Sequence, residues 1–474
     1  MYLRFLLILH ALLRCAAGVD YGFVLLTQNF PYESDAARAT KENVLSQARA
    51  LGKKVDFILT HEDFPDAVGA WAFWPLVQRL QKRYSEIGTP QWLLIGESFT
   101  HFNLRLLEVL LKDADEGNVN FLGRALSDSS PSIVHHFDGF ERKPSEPPFE
   151  YFDFSSGVAI SQRLLEQILS YNLYAKTFTI DAKFEFTKFM KGHHGETLKS
   201  SKSFCYERSA DCVAWFEVPD RSSITSCRPE GSLNKENVFF AVKTFSGFHK
   251  TRVVVIKRTW AREAKFVEYF SDSEDHYVPT IDLGVENTPR GHCEKTLRIL
   301  KHFLEDHEVK EMNWLVVADD DTLLSLERLY RLLECFDEKK PLIVGQRYGY
   351  GFEADGLGGY DYPTGGSGMV FTRAAVELLA KNCECPLIDS PDDMVIGICA
   401  RKHSIPIFHS SAFHQARSQD YPKEYLEKLP IISLHKFNEL DPYKEYMDLL
   451  HTPSNRDEEL SNCHEELSDH HEEL

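Results

Sequence analysis

The chain has 474 residues, more than one ordinary hydrophobic core organises, so two domains are expected. With 43% hydrophobic and 12% aromatic residues it has material for sizeable cores, and a formal net charge of −19 excludes a protein that grips nucleic acid through basic surface. A phosphate-bearing ligand would have to be met by a bound cation or by local arginines.

The chain opens "MYLRFLLILHALLRCAAGVDYGF". Arg4 gives a positive start, residues 5–13 are mostly apolar and "CAAG" offers small side chains for cleavage, which is the pattern of a secretory signal peptide over residues 1–18. That apolar stretch is about half of the ~20 residues a spanning helix needs, so no membrane span is expected after cleavage.

Between residues 19 and 190, short β-branched and aromatic runs alternate with longer helical patterns, which predicts a mostly parallel α/β sheet wrapped by helices. "FVLLT" near 23, "KVDFILT" near 54 and "WLLIGESFTHFNLRLLEVLL" from Trp92 supply its strands and one helix, and "FDFSSGVAISQRLLEQI" follows near 152. Trp71, Phe73 and Trp74 read as core packing in preference to an exposed docking surface. From 191 to 235 the sequence turns polar and rich in Ser and Gly, a linker cross-linked by some of Cys205, Cys212 and Cys227.

Residues 236–450 then repeat the first half. "FAVKT", "FVEYFSD", "WLVVADDDTLLSLERLYRLL" and "YPTGGSGMVFTRAAVEL" match the four earlier blocks in the same order. From Trp92 and Trp314 to Gly123 and Gly345 the offset stays at 314 − 92 = 222 residues. A duplicated domain is therefore expected. The copies differ where the second has Asp319-Asp320-Asp321 and the first has Glu97-Ser98-Phe99, so the first is expected to be catalytically silent.

"NWLVVA" suits a strand buried on both faces, and ligands of such sheets bind beyond the carboxyl ends of strands. Three adjacent aspartates at that end repel one another unless a cation is shared. Mg²⁺ or Mn²⁺ on a nucleotide diphosphate is held by one or two carboxylates. In extended backbone, residues i and i+2 point the same way, so Asp319 and Asp321 would address one ligand while Asp320 faces elsewhere. In "YPTGGSGMVF", the glycines around Ser367 let backbone approach a ligand closely. "DSPDDMVIGICARKH" sets Asp392 and Asp393 behind Ser390 and Pro391, ordinary chemistry for a helix start and also a place for a general base. "IPIFHSSAFHQ" offers His409 and His414 as further ligands beyond a short strand.

Setting aside Cys15, nine cysteines remain, and none of their spacings suits a tetrahedral zinc site. "CEC" at 383–385 is too tight to bridge itself and is expected to pair outward, with Cys463 left free. The tail, 451–474, is acidic. It ends His471-Glu472-Glu473-Leu474, one substitution from the tetrapeptide read by the endoplasmic-reticulum retrieval receptor. With the signal peptide, this points to the lumen of that compartment.

"FFAVKTFSGFHKTRVVVIKRTW", "WLVVADDDT", "GGSGMVF", "SPDDMVIG" and "IFHSS", in this order over about residues 236–440, resemble the inverting beta-1,3-glycosyltransferases that include Fringe. The degenerate first copy and the tail are similar to the branch that extends O-linked fucose on thrombospondin type 1 repeats with glucose. The resemblance implies two tandem GT-A-like (Rossmann-like) domains, a UDP-glucose donor and Mn²⁺ or Mg²⁺. It implies Asp321 and His409 as metal ligands, with Asp319 and Asp320 supporting the metal or binding the nucleotide sugar. Arg252 would contact the diphosphate side, Gly366, Ser367 and Gly368 would line the donor pocket, and Asp393 would be the base. Asp392 stays open for that role, because the motif here is Asp-Asp where the family has Glu-Asp.

Other readings are a Fringe-like transfer of N-acetylglucosamine or galactose, or a lumenal lectin or folding factor that binds fucosylated repeats without transfer. "VVADDDTL" also approximates the signature of haloacid-dehalogenase-like phosphatases. Leu323 stands where that signature wants Thr or Val, and about 80 residues of matching fold precede Asp319 where the signature normally opens its domain.

Overall fold

The computed structural model describes residues 18–128, 148–171, 176–220, 224, 226–437 and 440–452. The signal-peptide and tail expectations, with Cys463, fall outside these residues. Two mixed sheets organise the rest. The first runs, in spatial order, Val55–Leu59, Tyr21–Leu26, Trp92–Glu97, Val158–Ser161, Phe121–Gly123, Lys199–Ser200. The second runs Thr280–Asp282, Phe266–Ser271, Val238–Lys243, Trp314–Asp319, Met369–Thr372, Ile343–Gly345, Ile407–His409.

The orientations correspond as well as the order. In each sheet the Trp-initiated strand lies parallel to the domain's first strand. In each, one strand (Val158–Ser161 or Met369–Thr372) runs antiparallel to both of its neighbours. Three pairs of strands keep the offset of 222: Trp92–Glu97 with Trp314–Asp319, Thr100–Phe102 with Thr322–Leu324, and Phe121–Gly123 with Ile343–Gly345. The antiparallel strands each follow a glycine in left-handed backbone, Gly157 at φ 87° and Gly368 at φ 88°. Each also ends in a hydroxyl residue that caps the next helix, Ser161 accepting from the Leu164 N–H and Thr372 from the Ala375 N–H.

Alternation along the central strand explains why it reads as one apolar run. Trp314, Val316 and Ala318 enter the core on one face of the sheet, and Leu315 and Val317 enter the core on the other. The first sheet does the same with Leu93 and Ile95 against Trp92 and Leu94.

Residues 191–235 are not a free linker. Lys199–Ser200 forms the edge of the first sheet, and Phe204–Cys205 and Ala214–Phe216 pair into a small sheet with Thr100–Phe102. The polar composition conceals a few anchors, Phe204, Val213 and Ala214, which are buried in the first domain's core. Disulfide Cys205–Cys212 closes this loop, while Cys227–Cys335 ties the following residues to the second domain. Cys383 and Cys385 pair outward as expected, with Cys399 and Cys293.

The two halves share a seam. Lys176–Thr179 of the first adds antiparallel to Arg347–Phe352 of the second. Phe73 and Trp74 are buried in the core, whereas Trp71 sits at the seam with its indole N–H donated to Asp361 at 2.8 Å. Among the described residues no helix is long and apolar enough to cross a membrane.

Candidate active site

The strand Trp314–Asp319 delivers the three aspartates to its carboxyl end, where Lys243, Arg252 and His435 divide them. Asp319 pairs with the Lys243 ammonium at 3.0 Å, and Asp321 pairs with Arg252 at 2.9 Å and with His435 Nε2 at 3.0 Å. Asp320 turns away, accepting from Thr244 Oγ1 at 2.7 Å and from Arg252 at 3.2 Å. The expected division of the cluster, with Asp319 and Asp321 on one side, is what the geometry has. One ligand atom from each of Asp319, Asp321 and His435 lies within 4.8 Å of the others, so the three can close on a single ion. Two carboxylates and an imidazole are donors that suit Mn²⁺ and tolerate Mg²⁺.

His435 takes the place expected for His409. Thr322–Leu324, the short strand after the aspartates, pairs antiparallel with Ser433–His435 and sets His435 opposite Thr322. The His435 ring is held from behind: Nδ1 lies 2.9 Å from the Gln415 carbonyl, which leaves Nε2 for the aspartates. A Cβ at Gly366 would overlap that ring, so glycine is required for the close approach.

His409 ends an edge strand with two strands between it and Trp314–Asp319, three strand spacings or about 14 Å across the sheet. Its Nδ1 accepts the Arg347 N–H at 3.1 Å, and its own N–H donates to Gln28 Oε1 at 2.8 Å. Burial, with Arg347 nearby, pushes its pKa down to about 3. It lines a separate cavity of about 110 Å³ between the halves, beside Trp71, Glu97 and Lys183. His414 is buried with Nδ1 at 3.1 Å from the Ala412 and Ser433 carbonyls, a structural role.

The glycine loop also differs from expectation. Ser367 is fully buried and turned inward, its hydroxyl bonded to Thr364, while its N–H donates to Gln415 Oε1 at 3.0 Å. Gly366 packs against the His435 ring, and Gly366, Ser367 and Gly368 are not among the residues that wall the cavity in front of the aspartates. That cavity, about 480 Å³, is walled by the three aspartates with Arg252, Thr244, His292, Lys295, His435 and Lys436 among others. Arg252 lies there as expected, stacked 3.9 Å from the Phe248 ring centroid.

The late acid pair divides its duties. Asp392 is buried, accepting from Lys243 and from Thr296 Oγ1, both at 2.6 Å. Burial opposes its charge, but Lys243 outweighs burial and lowers its pKa. Among the described residues no cationic side chain hydrogen-bonds or ion-pairs with Asp393. It accepts the Met394 N–H at 2.7 Å and the Gly365 N–H at 3.4 Å, and burial followed by repulsion from Asp392 pushes it up to about 7. A carboxylate poised near neutrality is suited to taking a proton. Asp319 is the opposite case: Lys243 and then His435 overcome burial and hold it at about 2. His435 itself is raised, the pull of Asp321 and Asp319 overcoming burial.

Two residues the sequence reading passed over, Lys243 and His435, complete the site. Each left a signal. Lys243 breaks the apolar run "FFAVKT" where the first copy has Leu26, and His435 ends "IISLH" much as His409 ends "IPIFH".

The sequence model of the Fringe-like family matches residues 233–453. A beta-1,3-glucosyltransferase of Mus musculus is 39% identical over 443 residues, spanning 92% of this chain and 87% of the mouse protein. The Homo sapiens beta-1,3-glucosyltransferase is 39% identical over 442 residues, 92% of this chain and 86% of its own length. The Danio rerio beta-1,3-N-acetylglucosaminyltransferase manic fringe is 28% identical over 243 residues, 47% of this chain and 67% of that protein. A crystal structure of a glycosyltransferase involved in glycosylating the major capsid of PBCV-1 aligns with TM-score 0.26 and 13% identity, over 43% of this chain and 95% of that one. That alignment is too loose to bear on the fold. The relatives and the acid-rich strand end together define a glycosyltransferase. The chain belongs to the beta-1,3-glucosyltransferase family, and its second half is the Fringe-like domain.

Proposed function

We propose that the chain is an inverting, metal-dependent enzyme that transfers glucose from UDP-glucose, in beta-1,3 linkage, to O-linked fucose on thrombospondin type 1 repeats. We place this activity in the lumen of the endoplasmic reticulum. The observation that carries the chemistry is the convergence of Asp319, Asp321 and His435 on one point, with Asp393 accepting from the adjacent glycine loop and, among the described residues, without an ion pair of its own. Donor and acceptor rest on the resemblance over the whole chain, first copy included. The compartment rests on the two end signals.

A divalent cation bound by Asp319, Asp321 and His435 would offset charge on the departing diphosphate. The chain's own groups do the rest. Arg252, fixed by Asp320 and Asp321 and stacked on Phe248, presents its guanidinium to the donor cavity as a second positive charge. Lys243 bridges Asp319 and Asp392, so the metal-side acids and the late acid pair keep one spacing. Asp393 accepts the proton of the fucose 3-hydroxyl as that oxygen forms its bond to the anomeric carbon, whose electron pair to the phosphate oxygen leaves with UDP. Attack from the face opposite the leaving group turns an alpha-linked donor into a beta-linked product. The first domain serves as a catalytically silent GT-A-like copy that braces the second.

The test is to incubate the full chain with UDP-glucose, UDP-galactose or UDP-N-acetylglucosamine and a fucosylated thrombospondin repeat, with and without Mn²⁺. Metal-dependent transfer from UDP-glucose alone is the expected result. Transfer from another donor would replace the sugar assignment, and binding of the repeat without any transfer would leave a lectin. Full activity in chelator would remove the metal site from the mechanism.

A further inference from the structure

Lys436 follows His435 directly and lies half-buried on the wall of the 480 Å³ cavity. Its backbone sits at φ 64°, in the left-handed region that a residue with a Cβ enters only against resistance. The conformation is held by its N–H, which donates to the Asp321 carbonyl at 3.1 Å. Such strain beside an acid cluster is worth a functional question, because unfavourable backbone persists where it positions something.

The charges around it supply the answer. Lys243 is shared between Asp319 and Asp392, and Arg252 between Asp320 and Asp321. The Lys295 ammonium donates to the Thr244 carbonyl at 2.6 Å and to Asn287 Oδ1 at 3.1 Å. Among the described residues, the Lys436 ammonium alone of these lysine and arginine head groups has no protein hydrogen bond or ion pair. It is a flexible cation at the rim of a cavity whose other cations are already engaged. Asp319, Asp320, Asp321 and Asp392 together with a diphosphate ester carry about six negative charges, against about five positive charges on one divalent ion, Arg252, Lys243 and Lys295, so one further cation would balance the site when the donor is bound.

We propose that Lys436 is a donor-binding residue whose ammonium engages the diphosphate of the nucleotide sugar, on the phosphate nearer the sugar. The left-handed turn, pinned to Asp321, ties this cation to the same short ribbon that carries His435. The proposal rests on the donor-site reading above, and the experiment separates the two.

Titrate UDP and, separately, UMP into the full chain with Mn²⁺ by calorimetry, using wild type, Lys436→Met, Lys436→Arg and Lys436→Gly, with melting temperatures recorded for each. Lys436→Met is expected to weaken UDP binding on the order of tenfold while leaving UMP within about twofold, and Lys436→Arg to recover most of the loss. Lys436→Gly should lose UDP affinity like the Met variant while melting no lower than wild type, since glycine relieves the turn. Unchanged UDP affinity in the Met and Gly variants overturns the proposal. Equal loss of UDP and UMP also overturns it, because the effect would then come from the turn or from Asp321. If wild type binds no UDP, the donor-site reading falls and takes this proposal with it.

Discussion

The ends of the two Trp-initiated strands, 97–99 and 319–321, occupy the same place in matching sheets and have opposite electrostatics. At the second, three carboxylates are each met by a cationic side chain. At the first, Ser98 donates to Glu33 at 2.9 Å, and Phe99, in the position of the metal-side Asp321, packs edge-on against Tyr32. Leu26 stands where the second domain has Lys243. Left without that lysine, Glu97 is pushed by burial and then by Asp153 up to about 8. The scaffold alone therefore makes no site. A few side chains decide whether three adjacent carboxylates gather at a strand end, and at the first strand end a single carboxylate, Glu97, faces a small cavity lined by Lys183 and Asp153 with Arg347 and His409 of the other half.

The sharpest way to break this contrast is to remove the proposed base. Asp393→Asn is expected to lower kcat by about 10²–10⁴ while UDP binding persists, as calorimetry would register. An Asp393→Asn enzyme with normal turnover would shift the role to Asp392 or elsewhere. Next in size, His435→Ala should weaken Mn²⁺ binding by more than about tenfold, whereas His409→Ala should leave Mn²⁺ affinity unchanged. Equal effects from the two would undo the assignment of the ligand set.

The pH dependence follows from Asp393 and His435. Asp393 works only unprotonated, so with its pKa near 7 the rate should fall as pH drops through that value, about tenfold per unit well below it. Because the His435 pKa is raised, protons compete with metal, and Mn²⁺ affinity should also fall as pH falls. A flat profile at saturating metal would exclude Asp393 as the titrating base.

The smallest effect is expected at the first strand end. Glu97, with its folded pKa raised above the unfolded value, contributes stability at low pH that is lost as pH rises through about 8. Glu97→Gln should therefore keep full transferase activity and melt above wild type at alkaline pH. Loss of activity in that variant would show that the first strand end is not silent.

Much of this architecture was legible in the sequence because it is written in local patterns: an apolar run buried on both faces at Trp314–Asp319 and the constant offset between the two halves. The acidic side of the site was legible for the same reason, since Asp319 and Asp321 are two apart in extended chain. What remained hidden depends on pairing between distant segments. "IPIFH" and "IISLH" carry the same local signature, and only the ribbon between Thr322–Leu324 and Ser433–His435 selects the second. Likewise the buried hydrogen bonds of Ser367 come from Thr364 and Gln415, and nothing in "GGSG" reveals which way its hydroxyl turns.

The strand Lys176–Thr179 has a practical consequence. It completes a hairpin, Arg347–Phe352 with Tyr360–Pro363, that leads directly into the glycine loop. Expressing residues 236–450 alone would strip this partner away and bare the unpaired amides of Tyr350 and its neighbours, a template for self-association. Attempts to prepare a minimal enzyme from the second half should yield aggregates, and co-expression with the first half is the natural remedy.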